Sequence, residues 1–286
     1  MASSGETHNM ALFCDFENVA LGVRDAKYEK FDIAKVLERL LVKGSIVVKK
    51  AYCDWERYKE FKAAMHEAAF ELIEIPHVRQ SGKNSADIRM VVDALDLCYT
   101  KSHVDTFVII SGDSDFSPLV SKLRENNKAV IGVGVKQSSS DLLISNCDEF
   151  IYYDDLVREE RAKVKRAPRK KAPSKTASSA KAVTAAAEAE DKHEHEDKTA
   201  QALDLVMSTL DALVAERGED EKIWGSMIKQ TLKRRHPGFN ESYYGFKSFN
   251  DLLEEAAIRG LLDLKRDEKS GGYIVRGVAN EAGLEA

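Results

Sequence analysis

The sequence of 286 residues contains no uninterrupted apolar stretch of the ~18 residues that a membrane-spanning helix requires. Its first residues show no basic segment followed by an apolar segment, so the sequence predicts no secretory signal peptide. Together these absences predict a protein that has no membrane partner and resides in the cytoplasm.

Cysteine is scarce and dispersed. The four cysteines (Cys14, Cys53, Cys98 and Cys147) form no Cys-x-x-Cys pair, which argues against both a zinc knuckle and a disulfide scaffold. Widely spaced free thiols are typical of a reducing compartment. The phosphate-binding sequence Gly-x-x-x-x-Gly-Lys-Ser/Thr is also absent, which excludes a P-loop ATPase at the level of the motif.

Charge is unevenly distributed, although 43 basic and 48 acidic residues give a net charge of only -5. Residues 158–181 contain ten basic and two acidic side chains and almost no large apolar one. Such a segment cannot bury enough surface to offset its chain entropy. We therefore predict a flexible charged linker over 158–200, between one domain at 1–157 and another at 201–286. The basic part is either a solvated spacer or an arm that attracts RNA.

Short apolar runs alternate with helical periodicity in the first domain. Helical spacing appears over 33–41, 88–97 and 116–125. Strand-like runs occupy 10–14, 45–52, 70–75, 106–110, 129–135 and 149–152. This alternation predicts an α/β fold with a parallel sheet sandwiched by helices.

The last domain has a different pattern. Apolar helical spacing over 202–213, 223–235 and 249–259 is followed by two strand-like runs at 261–265 and 272–275. Three helices followed by a hairpin predict a small winged helix-turn-helix domain.

Carboxylates stand where a parallel sheet presents its ligand site. Asp15 follows the first strand, Asp113 and Asp115 follow the strand at 106–110, and Asp87 precedes an apolar helix. Each of them alone could simply cap a helix. Four clustered carboxylates, however, repel one another and are difficult to explain without a cation. An oxygen-only ligand set favours Mg²⁺ or Mn²⁺ over zinc.

Three segments together resemble the NYN domain, a member of the PIN-like superfamily of metal-dependent nucleases. They are Leu12-Phe-Cys-Asp15-Phe-Glu-Asn18, Lys83-Asn-Ser-Ala-Asp87 and Ile110-Ser-Gly-Asp113-Ser-Asp115, and the resemblance covers about residues 9–156. It implies a PIN-like Rossmannoid sheet and a Mg²⁺ or Mn²⁺ cofactor. The residues it implies as metal-binding and catalytic are Asp15, Asp87, Asp113 and Asp115. Supporting roles are implied for Asn18, Ser111, Ser114 and, on a looser pattern, Asp141.

The C-terminal sequence from Ile223-Trp224-Gly-Ser226 to Tyr243-Tyr-Gly245-Phe246 and Leu252-Leu253 resembles the LOTUS domain, also called OST-HTH. That family binds RNA or protein, and the sequence leaves the choice between them open. Basic and aromatic side chains that suit RNA are Lys229, Lys233, Arg234, Arg235, Tyr244 and Lys247. In the first domain, Arg79 and Lys83 precede Asp87 and could contact the RNA backbone or be ordinary loop charges.

These features predict a Mg²⁺- or Mn²⁺-dependent ribonuclease, and more specifically an endoribonuclease, whose C-terminal module binds RNA. The alternative is a catalytically weak RNA-binding or scaffold protein that keeps the NYN fold. An aspartyl phosphatase is disfavoured because Glu17 stands where that class needs a second aspartate. The sequence leaves open whether the RNA is single-stranded or structured, and it allows a homo-oligomer and a protein partner for the LOTUS domain.

Overall fold

The computed structural model describes residues 8–75, 85–158, 183–217, 222–267 and 272–278, with the side chains of 183–195 and 276–278 left aside. Two compact units, residues 1–167 and 168–286, divide the chain. Arg79, Lys83 and the part of the predicted linker at 159–182 lie outside the described residues. Over the described ranges, no helix is both long and apolar enough to cross a membrane.

The first unit is built on a six-stranded parallel sheet, which confirms the predicted fold class. Its strand order is β3-β2-β1-β4-β5-β6, so the chain reverses its direction of travel between β1 and β4. These two strands are direct neighbours, with Met10 opposite Thr106 and Cys14 opposite Ile110. The strands are β1 (His8–Asp15), β2 (Gly44–Cys53), β3 (Glu71–Glu74), β4 (Thr106–Ile110), β5 (Ala129–Gly134) and β6 (Glu149–Tyr152).

Helices cover both faces of this sheet. The periodicity of the sequence predicted α2, α4 and α5 but gave no helix at α1 or α3. In α1 the apolar side chains are interrupted by Glu17, Asn18 and Arg24, which weakens the pattern. The helices are α1 (Phe16–Asp25), α2 (Ile33–Leu41), α3 (Lys59–Glu67), α4 (Ser85–Thr100), α5 (Ser117–Glu125), α6 (Asp141–Asn146) and α7 (153–158).

Alternation along β1 divides the core into two layers. Met10, Leu12 and Cys14 pack in the cluster that includes residues of α1, α2 and α3. Ala11 and Phe13 pack in the opposite cluster, with residues of α4, α5 and α6. Because successive side chains of a strand point to opposite faces, Asp15 continues the second series, on the face covered by α4.

Where it is described, the second unit contains three helices and a small antiparallel sheet of order β7-β9-β8, as expected for a winged helix-turn-helix domain. One predicted boundary is wrong, because residues 223–224 form strand β7, where Ile223 pairs with Val275, and the helix begins only at Gly225. The elements are α8 (Val183–Arg217), β7 (Ile223–Trp224), α9 (Gly225–Arg235), α10 (Phe249–Ile258), β8 (Leu262–Arg266) and β9 (Tyr273–Val278).

Part of the segment predicted as a flexible linker, 158–200, lies in helix α8. Its backbone is helical from Val183 onward, so residues 183–200 belong to a helix of 35 residues. The stretch is rich in Ala, Glu and Lys, which are strong helix formers even without a packed apolar face. The low hydrophobicity of this segment suggested a spacer, whereas the helix propensity of its residues favours a helix.

Candidate functional site

The buried carboxylate of Asp15 lies at the point where the strand order reverses. Asp15 is the last residue of β1 and only 7% exposed. Its Oδ2 accepts a hydrogen bond from Ser111 Oγ at 3.0 Å, and its Oδ1 accepts one from the backbone N–H of Asn18 at 3.4 Å. The carboxylate therefore caps α1 and is hydrogen-bonded to Ser111, the first residue after β4. Ligands of open parallel sheets bind at such switch points.

Asn18 fixes the loop that follows β4. Its side-chain oxygen accepts a hydrogen bond from the N–H of Gly112 at 2.9 Å. A Cβ atom at Gly112 would lie 2.4 Å from the carbonyl oxygen of Ser138, so no other residue fits without moving the backbone. The two contacts set the position of the segment that carries the next two carboxylates.

Asp113 and Asp115 stand on a short 3₁₀ turn, Ser114–Phe116, directly after that loop. Asp113 caps the turn, because its Oδ1 accepts a hydrogen bond from the N–H of Asp115 at 3.0 Å. The N–H of Asp113 in turn donates to Ser111 Oγ at 3.2 Å. Asp113 is half-buried and Asp115 is exposed. The capping role does not use the whole carboxylate, so Asp113 keeps an oxygen for another partner.

Asp87 comes from the other side of the crevice, in the first turn of α4, and is half-buried. Its pKa is raised, first by burial and then by the negative charges of Asp113, Asp115 and Glu17. The structure thus brings the helix-borne carboxylate of Asp87 within electrostatic reach of the pair that follows β4.

The four carboxylates repel one another. Burial, followed by the charge of Asp87 and more weakly that of Asp113, raises the pKa of Asp15 to about 7. The hydrogen bonds from Ser111 and Asn18 act in the opposite direction but do not cancel this effect. Within the described ranges, none of the four carboxylates forms an ion pair with Lys, Arg or His. The site therefore carries negative charge that the described part of the protein leaves uncompensated.

A divalent cation would match the chemistry of these side chains, since carboxylate oxygens are the ligands that Mg²⁺ and Mn²⁺ prefer. In the described part of the chain, however, no three His, Cys, Asp or Glu side chains converge closely enough to hold a metal ion. Asp15, Asp87, Asp113 and Asp115 are electrostatic neighbours rather than a closed ligand set.

Glu17 was not among the site residues predicted from the sequence. It lies in the first turn of α1 and raises the pKa of Asp87, so it belongs to the same electrostatic cluster. Unlike the four aspartates it is paired: Arg57 Nη1 lies 3.0 Å from Glu17 Oε1, and the hydroxyl of Tyr58 is 3.5 Å from the same oxygen. Its position two residues after Asp15 could have suggested it.

The other predicted supporting residues are placed less centrally. Ser114 is half-buried beside Asp115, whereas Asp141 is exposed at the start of α6. The largest influences on the pKa values of Asp15 and Asp87 come from residues other than Asp141. Among the described residues, Asp141 is therefore not one of the main electrostatic neighbours of Asp15 or Asp87.

In the second unit, several of the predicted RNA-binding cations already have partners within the domain. Lys229 Nζ lies 2.8 Å from Glu241 Oε1, as an ion pair without the alignment of a good hydrogen bond. The guanidinium of Arg235 donates to the carbonyl oxygen of Ser208 at 2.8 Å. Lys233 adds positive potential near Glu241. Part of the basic cluster thus stabilises the domain itself.

Tyr244, one of the side chains predicted to suit RNA, is only partly accessible. Its ring is half-buried, stacks on Phe239 with centroids 5.3 Å apart and packs against the hydrophobic core. The side chains of Arg234 and Lys247 are exposed, at the end of α9 and just before α10. Arg235 is exposed too, but its guanidinium is held by the carbonyl oxygen of Ser208, so Arg234 and Lys247 are the cations of the predicted set most open to a ligand.

Comparison with known families identifies both units. The family model of the NYN domain matches residues 9–154, which is half of the chain, and that of the OST-HTH/LOTUS domain matches residues 197–274. The order of the two domains agrees with the arrangement predicted from the sequence.

Two similar proteins carry names that state no activity. An uncharacterized protein of Methanocaldococcus jannaschii is 27% identical over 158 residues, which are 55% of this chain and 60% of that protein. This chain therefore spans less than two thirds of the relative's length. The crystal structure of a protein of unknown function from Vibrio parahaemolyticus is 28% identical, covers 54% of this chain and 97% of its own, and gives a TM-score of 0.48.

Proposed function

This chain belongs to the NYN domain family, and on that basis we propose that it is a metal-dependent ribonuclease whose OST-HTH domain contributes RNA affinity. The observation that carries this proposal is the set of four carboxylates around the junction of β1 and β4, which no cation among the described residues compensates. Uncompensated charge lowers the stability of the folded protein. Because the cluster lies at the ligand-binding edge of the sheet, we expect this negative charge to bind a cation.

Hydrolysis of a phosphodiester needs an activated water and neutralisation of the charge that develops on the phosphate oxygens. When bound, Mg²⁺ or Mn²⁺ lowers the pKa of a coordinated water and neutralises phosphate charge. The carboxylates of Asp15, Asp87, Asp113 and Asp115 are the groups that would hold it. Ser111 and Asn18 hold the Asp15 carboxylate in one orientation, and Asn18 also holds the loop that carries Asp113.

The contribution proposed for the second domain is electrostatic and local. Arg234 and Lys247 are exposed there, whereas Lys229 and Arg235 are engaged within the domain. Each cation that neutralises a phosphate releases condensed counterions, so binding through these residues will weaken as salt rises.

The test is a cleavage assay with the full chain and a circular single-stranded RNA. Linearisation in Mg²⁺ or Mn²⁺, but not in EDTA, is the expected result and identifies endonucleolytic cleavage, because a circle offers no end to an exonuclease. A hairpin with a long duplex stem serves as the structured substrate. The Asp115→Asn variant should show no linearisation, since it loses one carboxylate while the exposed position of Asp115 protects the fold. Equal cleavage by this variant would refute the assignment.

A second candidate is an RNA-binding protein with little or no catalytic activity. It is favoured by one observation: in the described ranges, no three potential ligand side chains converge on a metal position. This candidate predicts that the full chain retains RNA in a binding assay but leaves the circular RNA intact in every divalent metal tried.

A further inference from the structure

A groove of about 700 Å³ lies beside the carboxylate cluster, between α4, the 3₁₀ turn, α5 and α6. Asp87 and Asp115 contribute to its wall, so it is continuous with the candidate site. Its volume falls within the range of roughly 300–1,000 Å³ that is usual for small-molecule pockets. The four elements that form it belong to one compact unit.

The walls of the groove are mainly aliphatic and unusually exposed. Ile88 is 63% exposed and Val92 55%, and Leu142 is also largely exposed. Val91 and Pro118 extend the same apolar surface. Among the residues that the structure describes, the lining includes two carboxylates and no Lys, Arg or His. A phosphate would be repelled inside this groove, whereas a neutral ring with apolar faces would be accommodated.

A hydroxyl group in the same wall lacks a partner. Ser117, at the start of α5, is only 6% exposed, and its Oγ has no hydrogen-bond partner among the described residues. A buried polar group without a hydrogen-bond partner destabilises the folded protein, so a bound ligand that supplies the partner would be favoured. Ser117 lines the groove, so a bound molecule with a polar group is the candidate to supply the missing partner. A purely apolar occupant, such as a leucine side chain of a protein partner, would leave it unsatisfied.

We propose that this groove binds the nucleobase adjacent to the phosphate that is held at the carboxylates. The proposal rests on the ribonuclease function proposed above and adds a base-binding subsite to it. A nucleobase combines apolar faces, which suit Ile88, Val91 and Val92, with a polar edge, which offers Ser117 its missing partner. Because the base must leave its stack to enter the groove, this subsite selects unpaired RNA.

The first test measures binding alone. Side-chain methyl groups of the full chain are labelled for NMR, and adenosine or uridine 5′-monophosphate is added in Mg²⁺. The aromatic ring should shift the methyl signals of Ile88, Val92 and Leu142 in a saturable manner, whereas ribose 5-phosphate should leave them unmoved. Equal effects of both compounds would mean that the groove senses phosphate or metal only. Absence of any shift at these methyls with the nucleotides would also overturn the proposal.

The second test uses a double variant, Ile88→Ser with Val92→Ser, and a matched control, Leu41→Ser with Val42→Ser. All four side chains are exposed, so the folds of both variants should survive. The groove variant should lose the nucleotide-induced shift at Leu142 and raise KM for single-stranded RNA about tenfold, on the scale of base-stacking contributions. The control should match the wild type. Identical KM values for both variants would remove the groove from substrate binding.

Ser117→Ala separates a ligand role from a structural one. Removing an unpartnered hydroxyl should leave the folded protein equally stable or more stable, while nucleotide binding weakens several-fold. A loss of stability without a loss of binding would show that Ser117 serves the fold alone. The NMR test measures binding and does not require cleavage of RNA. If the groove binds nucleotides but the protein cleaves no RNA, the proposed ribonuclease function is contradicted and the base-binding subsite is not. Cleavage of RNA with unmoved groove methyls would have the opposite meaning.

Discussion

The carboxylate cluster of the first domain and the basic helix α9 of the second differ in whether their charged side chains have partners within the protein. Burial and the charges of Asp87 and Asp113 raise the pKa of Asp15 to about 7, and burial and the charges of Asp113 and Asp115 raise that of Asp87. None of these four carboxylates pairs with a described cation. On α9, by contrast, Lys229 pairs with Glu241, and Arg235 binds a carbonyl oxygen. Sequence clustering of like charge therefore has two outcomes, and only the surroundings decide between them.

The carboxylates in the two regions show the same contrast. Glu241 is largely buried, with 15% of its side chain exposed, and burial alone would raise its pKa. Lys229, the backbone and Lys233 outweigh that effect, and the pKa of Glu241 is lowered. A carboxylate whose pKa is lowered contributes to stability, whereas one whose pKa is raised by its neighbours destabilises the fold when ionised. Carboxylates whose pKa is raised by neighbouring negative charges are therefore the better candidates for a ligand site.

The largest effect is expected from a matched pair on α4. Asp87→Asn should reduce RNA cleavage at least about a hundredfold, the scale for losing one group that stabilises transition-state charge. Asp96→Asn, an exposed position on the same helix, should cleave like the wild type. The measurement is single-turnover cleavage of the circular RNA at saturating protein. Similar cleavage rates for the two variants would mean that the Asp87 carboxylate takes no part in catalysis.

A smaller effect is expected in the pH dependence of stability without metal. Between about pH 4 and pH 7, native Asp15 binds more protons than it does in the unfolded chain, so the free energy of unfolding falls as pH rises through this window. The loss is a few kcal/mol at most, at ~1.4 kcal/mol per pKa unit. Asp15→Asn should remove this part of the pH dependence and be more stable than the wild type at pH 8.

The chain offers a clean readout for this prediction. It has two tryptophans, Trp55 in the first domain and Trp224 in the second, so Trp224→Phe leaves a fluorescence signal from the first domain alone. Urea unfolding of this background in EDTA, with and without Asp15→Asn, gives the two pH profiles. Millimolar Mn²⁺ at pH 8 should restore stability only while Asp15 is present, through binding to the native state. Parallel profiles would show that Asp15 is already neutralised by some other means.

The paired charges of the second domain predict a loss of about 1 kcal/mol for Lys229→Met, since Lys229 is partly exposed and solvent screens the pair. The methionine keeps the apolar contact with Phe249, over whose ring the lysine lies. Because the pKa of Glu241 is lowered, its contribution is present above the ordinary glutamate range and is lost as pH falls through the folded value. Amide hydrogen exchange of α9 in the full chain measures the change. Lys229→Met in a Glu241→Gln background should cost clearly less, and an equal cost would contradict the pairing.

The sequence predicted most of the sheet because buried parallel strands are continuous apolar runs, as at β1 and β4. It also predicted that Asp15, Asp113 and Asp115 stand at the ends of neighbouring strands, β1 and β4, but not how far apart their carboxylates lie. It did not predict α1, where polar residues such as Glu17 interrupt the apolar pattern. At β7, a two-residue strand becomes visible only when its partner in β9 is known.

The side-chain partners in the second domain were beyond the sequence for a related reason. Arg235 meets Ser208, and Lys229 meets Glu241, across distances along the chain that no periodicity encodes. Tyr244 stands beside basic and aromatic residues, which suggested RNA binding, yet it stacks on Phe239. Local patterns identify elements, whereas the compensation of a given charge depends on tertiary contacts.

The smallest effect provides the finest test of the comparison. Arg234→Ala should leave stability within about 0.5 kcal/mol, because the side chain is exposed. It should nevertheless lower the salt dependence of RNA binding by about 0.7 in log–log slope, the value for one phosphate contact on a single strand. Arg235→Ala should do the reverse: its bond to the carbonyl oxygen of Ser208 supports the domain, so about 1 kcal/mol of stability is lost while the slope stays nearly unchanged. Salt titrations of binding by the full chain in EDTA measure both slopes. If Arg235→Ala changes the slope as much as Arg234→Ala, a cation that has a partner within the domain still contacts RNA. Paired and unpaired cations on α9 would then be equivalent for RNA binding.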